Sequence, residues 1–169
     1  KKVILASDLG SELVDPVVAD AASFSTLDLR FAIYGFAIER FCDVSGYTDI
    51  ASGLAALLGF KFPQNFNQPY RSVSLQDFWR RWHMTLSFWL RDYLYIPLGG
   101  SHHGKLRTSL NLMATMVLGG LWHGAAMKFI IWGGLHGSGL IAERPFAKRL
   151  ENAPRLMRFF AMLVTFHFV

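Results

Sequence analysis

Apolar positions in this chain come in long blocks separated by short polar knots, and the longest block runs from Leu110 to Ala142. As one straight helix it would be about 50 Å long, against a bilayer hydrocarbon core of about 30 Å. The block must therefore break or turn. Gly119-Gly120-Leu121-Trp122-His123-Gly124 is where the sequence allows it, because glycine admits conformations and close approaches that other residues do not. That predicts His123 buried at a helix junction near membrane depth, where an ionisable side chain is costly. Non-helical backbone survives there only inside protein or around a wet cavity. In the second half, Gly133, Gly134, Gly137 and Gly139 favour close helix packing, and Lys128 and His136 share that half.

Upstream, Ile4, Leu5, Leu9, Leu13, Val17 and Val18 recur at roughly helical spacing, interrupted by Asp8, Glu12, Asp15, Pro16 and Asp20. This predicts short helices lying at an interface. Thr26 is a candidate cap for an apolar helix from Leu27 to Cys42, a short crossing with Arg30 and Glu39 near its ends. Asp43-Val44-Ser45-Gly46-Tyr47-Thr48-Asp49 forms a polar knot before a helix from Ile50 to about Gly59. Two readings of the knot stand: a helix-capping loop, since Ser, Thr and Asp are ordinary caps, or the polar lining of a substrate path. On the second reading Asp43, Ser45, Tyr47 and Asp49 are the lining residues.

Two prolines and four amide side chains make residues 61–71 a loop. Ser74, with Asp77 three residues on, caps a helix predicted from Leu75 to about Ile96, stopping at Pro97. Leu75, Phe78, Trp79, Trp82, Leu86, Trp89, Leu90, Tyr93 and Ile96 share one face of it. Asp77, Arg80, Arg81, Arg91 and Asp92 take the other side, with His83 on the border. Such a helix lies at a membrane interface or dips in as a re-entrant element. His102 and His103 in the following glycine loop read as solvated. A basic loop from Arg144 to Arg158 leads to a last apolar segment.

Composition sharpens this picture. Of 169 residues, 52% are hydrophobic and only 17% charged, whereas a soluble domain carries about a quarter charged. This points to an all-α, multi-pass helical membrane protein with interfacial or re-entrant helices. The net charge of +5 fits cytoplasm-facing loops better than nucleic-acid binding. A single cysteine, Cys42, excludes an internal disulfide framework, and no His, Cys and carboxylate spacing makes a metal site. Lys1-Lys2 opens the chain without an initiator Met, and Val169 closes it inside an apolar run. Residues 1–169 are therefore expected to be the central part of one membrane domain, truncated at both ends. No P-loop, Rossmann glycine signature, Gly-x-Ser-x-Gly elbow or paired-His helix motif occurs.

Four blocks in series carry a resemblance. They are Cys42 to Ala51, Phe78-Trp79-Arg80-Arg81-Trp82-His83, Trp89 to Gly100, and Gly119 to Gly124. Together they resemble the membrane-bound O-acyltransferase family, most closely its branch that acetylates the exopolysaccharide alginate. The resemblance implies a multi-pass enzyme of the bacterial inner membrane with His123 as its catalytic residue. It also implies His83 as a second histidine supporting acyl donor or acceptor. Trp122, Arg80, Arg91 and Asp92 join the substrate-path candidates. No bound cofactor is implied; acetyl-CoA or another acyl thioester is the donor substrate. The implied partners are membrane lipid, a polysaccharide acceptor and periplasmic acetyl-transfer proteins. Glu39, Val44 and Ala126-Met127-Lys128 depart from the usual family pattern and leave the acceptor sugar open.

The chemistry agrees with the residues. A sugar hydroxyl is a poor nucleophile, and a neutral histidine that takes its proton contributes a factor of about 10² to 10⁴. Peptidoglycan or cellulose acetylation and D-alanylation of teichoic acid are sibling readings, with Leu94 to Gly100 favouring the acetyl branch. A transporter or channel segment would predict an internal repeat or charge-paired helices, and the sequence has neither. A non-catalytic scaffold would tolerate replacement of His123.

Overall fold

The computed structural model describes residues 1–169, and every regular element is helical. It divides into two units, residues 1–63 and 64–169.

In the first unit, α1 (residues 2–19) mixes ordinary turns with two wider π-type turns, Lys2–Ala6 and Gly10–Val14. Pro16 follows the second of these, in the last segment, Asp15–Ala19. After a short 3₁₀ turn at Ala21–Ser23, α2 runs unbroken over Thr26–Leu57. Ser25, not Thr26, caps it. Ser25 Oγ accepts from the Asp28 N–H at 3.3 Å, and the Asp28 carboxylate accepts from the Ser25 N–H at 3.1 Å.

The expected loop at residues 43–49 is absent, because the polar knot is the middle of α2. Its residues read as loop formers, but three of them, Asp43, Thr48 and Asp49, have partners within the helix pair. Asp43 is bonded by Lys2, Asp49 by Lys1 at 2.8 Å, and Thr48 Oγ1 donates back to the Val44 carbonyl at 2.9 Å. Gly46 serves contact rather than a turn, since a Cβ there would lie 2.8 Å from the Lys2 backbone nitrogen. Likewise a Cβ on Gly35 would meet Leu13 at 2.6 Å, and one on Gly10 would touch Glu39 at 3.8 Å. Pairs 2/46, 10/39 and 13/35 run in opposite directions, so α1 lies antiparallel on α2 along a glycine seam.

In the second unit, α3 (Leu75–Trp79) and α4 (Met84–Leu90) replace the single helix expected from Leu75 to Ile96. A π-type turn, Arg91–Tyr95, continues α4. The break has a physical cause. Asn65 reaches in from the preceding loop: its carbonyl accepts from Met84 N–H at 2.9 Å, and its Oδ1 accepts from Thr85 N–H at 3.1 Å and Thr85 Oγ1 at 2.9 Å. These bonds satisfy the first free donors of α4, so a new helix starts there. Ser74 caps α3 as expected, its Oγ accepting from Asp77 N–H at 3.0 Å.

Helices α5 (Gly104–His123) and α6 (Met127–Glu143) form an antiparallel hairpin, and the break between them falls where the sequence predicts it. Gly133 and Gly137 on α6 face Met116 and Met113, and Gly120 faces Phe129, so the two backbones nearly touch. Gly139 meets Leu75 and Phe168, while Gly134 meets nothing within 4 Å. Helix α7 (Ala147–Glu151) leads to α8 (Arg155–Phe168). Glu143, at the end of α6, accepts from the Leu75 and Gln76 N–H groups at 2.6 and 3.0 Å, pinning α3 to the hairpin.

No helix is long and apolar enough to cross a membrane. The expected crossings at 27–42 and within 110–142 are diluted by Asp28, Arg30, Glu39 and Arg40 in the first, and by Asn111, glycines and histidines in the second.

Candidate active site

The turn between α3 and α4 and the end of α5 supply the two histidines that the sequence marks. His83 caps α4 with φ +42° and ψ +54°, a left-handed conformation uncommon for any residue with a Cβ. The Asn65 bonds to the next two residues and the Ser87 N–H donated to the His83 carbonyl at 3.0 Å hold it there. Its ring packs on Phe66 with centroids 6.2 Å apart, and its Nδ1 is buried without a hydrogen-bond partner. Burial pushes the His83 imidazole below its ordinary value, and the nearby His123 adds to that shift.

His123 is the last residue of α5, ahead of the break at Gly124. Gly124 is required by contact, since a Cβ there would lie 2.7 Å from the Phe129 ring. Aromatic rings hold the His123 imidazole: Trp122 edge-on at 5.1 Å, Trp132 edge-on at 5.4 Å, and Phe129 stacked at 6.1 Å. The sequence predicts a buried His123, yet within this chain the residue is exposed. It lies beyond Gly120, at the end of α5.

His136 is the residue that sequence reasoning passed over. It is 3% exposed and ringed by Trp132 at 4.7 Å, Trp79 at 5.4 Å and Phe168 at 5.6 Å. Its Nδ1 has no hydrogen-bond partner, nor does the Trp79 indole nitrogen. The available signal was spacing: Trp132 and His136 stand one turn apart on α6, with Gly133 and Gly137 beside them.

The substrate-path candidates separate. Asp43, Ser45, Tyr47 and Asp49 all belong to the first unit. There the two aspartates are paired with lysines, Ser45 is buried with its hydroxyl unpartnered, and Tyr47 is exposed with the Lys2 ammonium 6.0 Å from its ring centre. Trp122 is exposed beside His123. Arg91 clasps its neighbour Asp92 through two bonds of 2.7 and 3.1 Å, and Arg80 reaches Glu151 at 3.4 Å. Arg80 and Arg91 line a cavity of about 360 Å³ with Trp79, Tyr95, Glu143 and Arg144; neither His83 nor His123 borders it. His102 and His103 are exposed, as expected. No group of three or more metal-ligating side chains converges.

Comparison with known proteins gives the lineage of this arrangement. A probable alginate O-acetylase, AlgI, of Azotobacter vinelandii is 46% identical over 164 residues, covering 94% of this chain and 31% of that protein. A peptidoglycan O-acetyltransferase of Helicobacter pylori is 40% identical over 170 residues, 100% of this chain and 32% of that protein. A teichoic acid D-alanyltransferase of Bacillus subtilis is 36% identical over 150 residues, 81% of this chain and 38% of that protein. The chain thus spans about a third of the length of such relatives. The model of the membrane-bound O-acyltransferase family matches residues 15–168. By that match and these identities, the chain belongs to the membrane-bound O-acyltransferase family.

Proposed function

We propose that the full-length protein is an O-acyltransferase of the bacterial inner membrane. It moves acetyl from a thioester donor on the cytoplasmic side, such as acetyl-CoA, to hydroxyls of an extracellular polysaccharide such as alginate. The observation that carries the reading is His123 at the interrupted end of α5, walled by Trp122, Phe129 and Trp132, with His83 in a left-handed turn before α4 of the same unit. Backbone held in a sparsely populated region is characteristic of sites where position matters more than stability. Apolar side chains exposed on several sides of α2 and α8, among them Phe31, Ile33, Phe36, Phe159 and Val164, support a lipid-facing or partner-covered setting for the chain.

In the reaction His123 acts as general base. It takes the proton of the sugar hydroxyl as that oxygen attacks the acyl carbonyl. A C–O bond forms, the C–S bond breaks, and the proton passes to the departing thiolate. His83, half-buried at the turn before α4, supports donor or acceptor. Periplasmic proteins that carry acetyl onward fit the same scheme as partners. Peptidoglycan is a second acceptor class, favoured by the Helicobacter pylori relative, which matches along the whole chain.

The test is acetyl transfer to extracellular polysaccharide in cells carrying the full-length protein, wild type against His123→Ala, at matched membrane levels. Loss of transfer is expected, by a factor of about 10² or more. Full transfer by the variant overturns the base assignment and returns the scaffold reading.

A further inference from the structure

The geometry points to His136 as a positioning residue for His123, acting through the Trp132 indole. The inference rests on the acyltransferase reading for its consequence and on the ring contacts for its structure. His123 has Trp132 as one of three aromatic walls, at 5.4 Å and nearly perpendicular. Trp132 in turn lies 4.7 Å from His136, one helical turn further along α6. The indole is therefore held between two imidazoles, one at the exposed end of the hairpin and one inside it.

The inner imidazole is the better anchored. Trp79 from α3 and Phe168 from α8 close on His136 edge-on at 76° and 80°, so three helices fix its ring. Gly133 and Gly137 on either side bring α6 close against Met116 and Met113 of α5, which removes freedom from the same turn. His123 has no comparable support: it ends its helix, is exposed, and is bordered by rings rather than held by hydrogen bonds. A base must sit within a narrow range of its target, and a misplacement of about 1 Å can cost roughly 10²-fold. Nothing in the chain bonds His136 Nδ1, so what His136 contributes within the chain is its ring plane. Trp132 passes that fixed plane outward to His123.

The experiment uses the full-length protein in isolated membranes, with radiolabelled acetyl-CoA as donor and alginate oligosaccharide as acceptor. His136→Ala, His136→Phe, Trp132→Ala and the double variants are compared at equal protein, with His123→Ala as the reference for lost chemistry. His136→Ala is expected to lower kcat about tenfold or more, with KM for either substrate little changed. His136→Phe, which keeps a flat ring against Trp132, is expected to stay within about threefold. In the Trp132→Ala background, His136→Ala should add almost nothing, because residues acting through one contact are not additive. Full kcat in His136→Ala, or additive losses in the double variant, overturns the inference.

A second readout does not depend on turnover. His123 modification by diethyl pyrocarbonate, followed by mass spectrometry, should be faster by about threefold in His136→Ala and unchanged in His136→Phe. An unchanged rate in His136→Ala overturns the inference even if transfer falls. If wild-type membranes transfer nothing while the labelling rates behave as expected, the acyltransferase reading with this donor fails and the contact stands.

Discussion

Gly120 lies one turn before His123, at the tightest point of the α5–α6 seam. A Cβ built there would stand 2.2 Å from the Phe129 carbonyl oxygen and 3.2 Å from its carbonyl carbon. An ordinary C–H···O contact is about 3.3 Å, so Gly120→Ala demands that the two backbones part by roughly 1 Å. The obstacle is main chain, which cannot swing aside as a side-chain tip can. Overpacking of this kind costs about 1–3 kcal/mol. Gly134→Ala is the internal control, because it adds the same methyl to α6 where nothing lies within 4 Å. It should be neutral or stabilising by up to about 1 kcal/mol, since alanine restricts the unfolded chain. The two variants should therefore differ by about 1–4 kcal/mol although the chemistry is identical.

Thermal unfolding of the full-length protein in detergent measures the stability difference. Acetyl transfer per molecule at a permissive temperature measures the displacement of His123, where a shift approaching 1 Å predicts a loss of roughly 10²-fold. If Gly120→Ala unfolds with Gly134→Ala and keeps its transfer, the close approach of the two backbones does not exist.

Three further outcomes are expected. Asn65→Ala removes the side-chain oxygen that accepts from Thr85 N–H and Oγ1, and should cost about 1–2 kcal/mol in thermal unfolding; an unchanged midpoint would mean that α4 starts without it. Glu143→Gln weakens the carboxylate that holds the Leu75 and Gln76 N–H groups and should cost about 1–3 kcal/mol, with proteolysis first reporting release of α3; no loss would put the anchor elsewhere. His83, held below its ordinary value when folded, binds its proton more readily unfolded, so its contribution to stability is present above the unfolded pKa of about 6.5 and lost as pH falls below it. His83→Gln should flatten the loss of stability on acidification through that range; an unchanged slope would remove His83 as its source.

The sequence alone determined that the chain is helical, where its longest apolar block breaks, and that His123 stands at that break, because glycine marks the turn. It also carried Ser74 as a cap and the four blocks that place the chain in its family. Tertiary structure decided what local spacing cannot encode. Residues 43–49 look like a loop, yet α1 supplies lysines for the aspartates and a backbone for Gly46 to meet, so the helix continues. Residues 75–96 look like one amphipathic helix, yet Asn65, twenty residues before Thr85, satisfies the first donors of a second one. His136 gained its place only when α3 and α8 closed their aromatic rings over it. In each case the deciding contact joins segments far apart along the chain, and periodicity reports only neighbours within a turn or two.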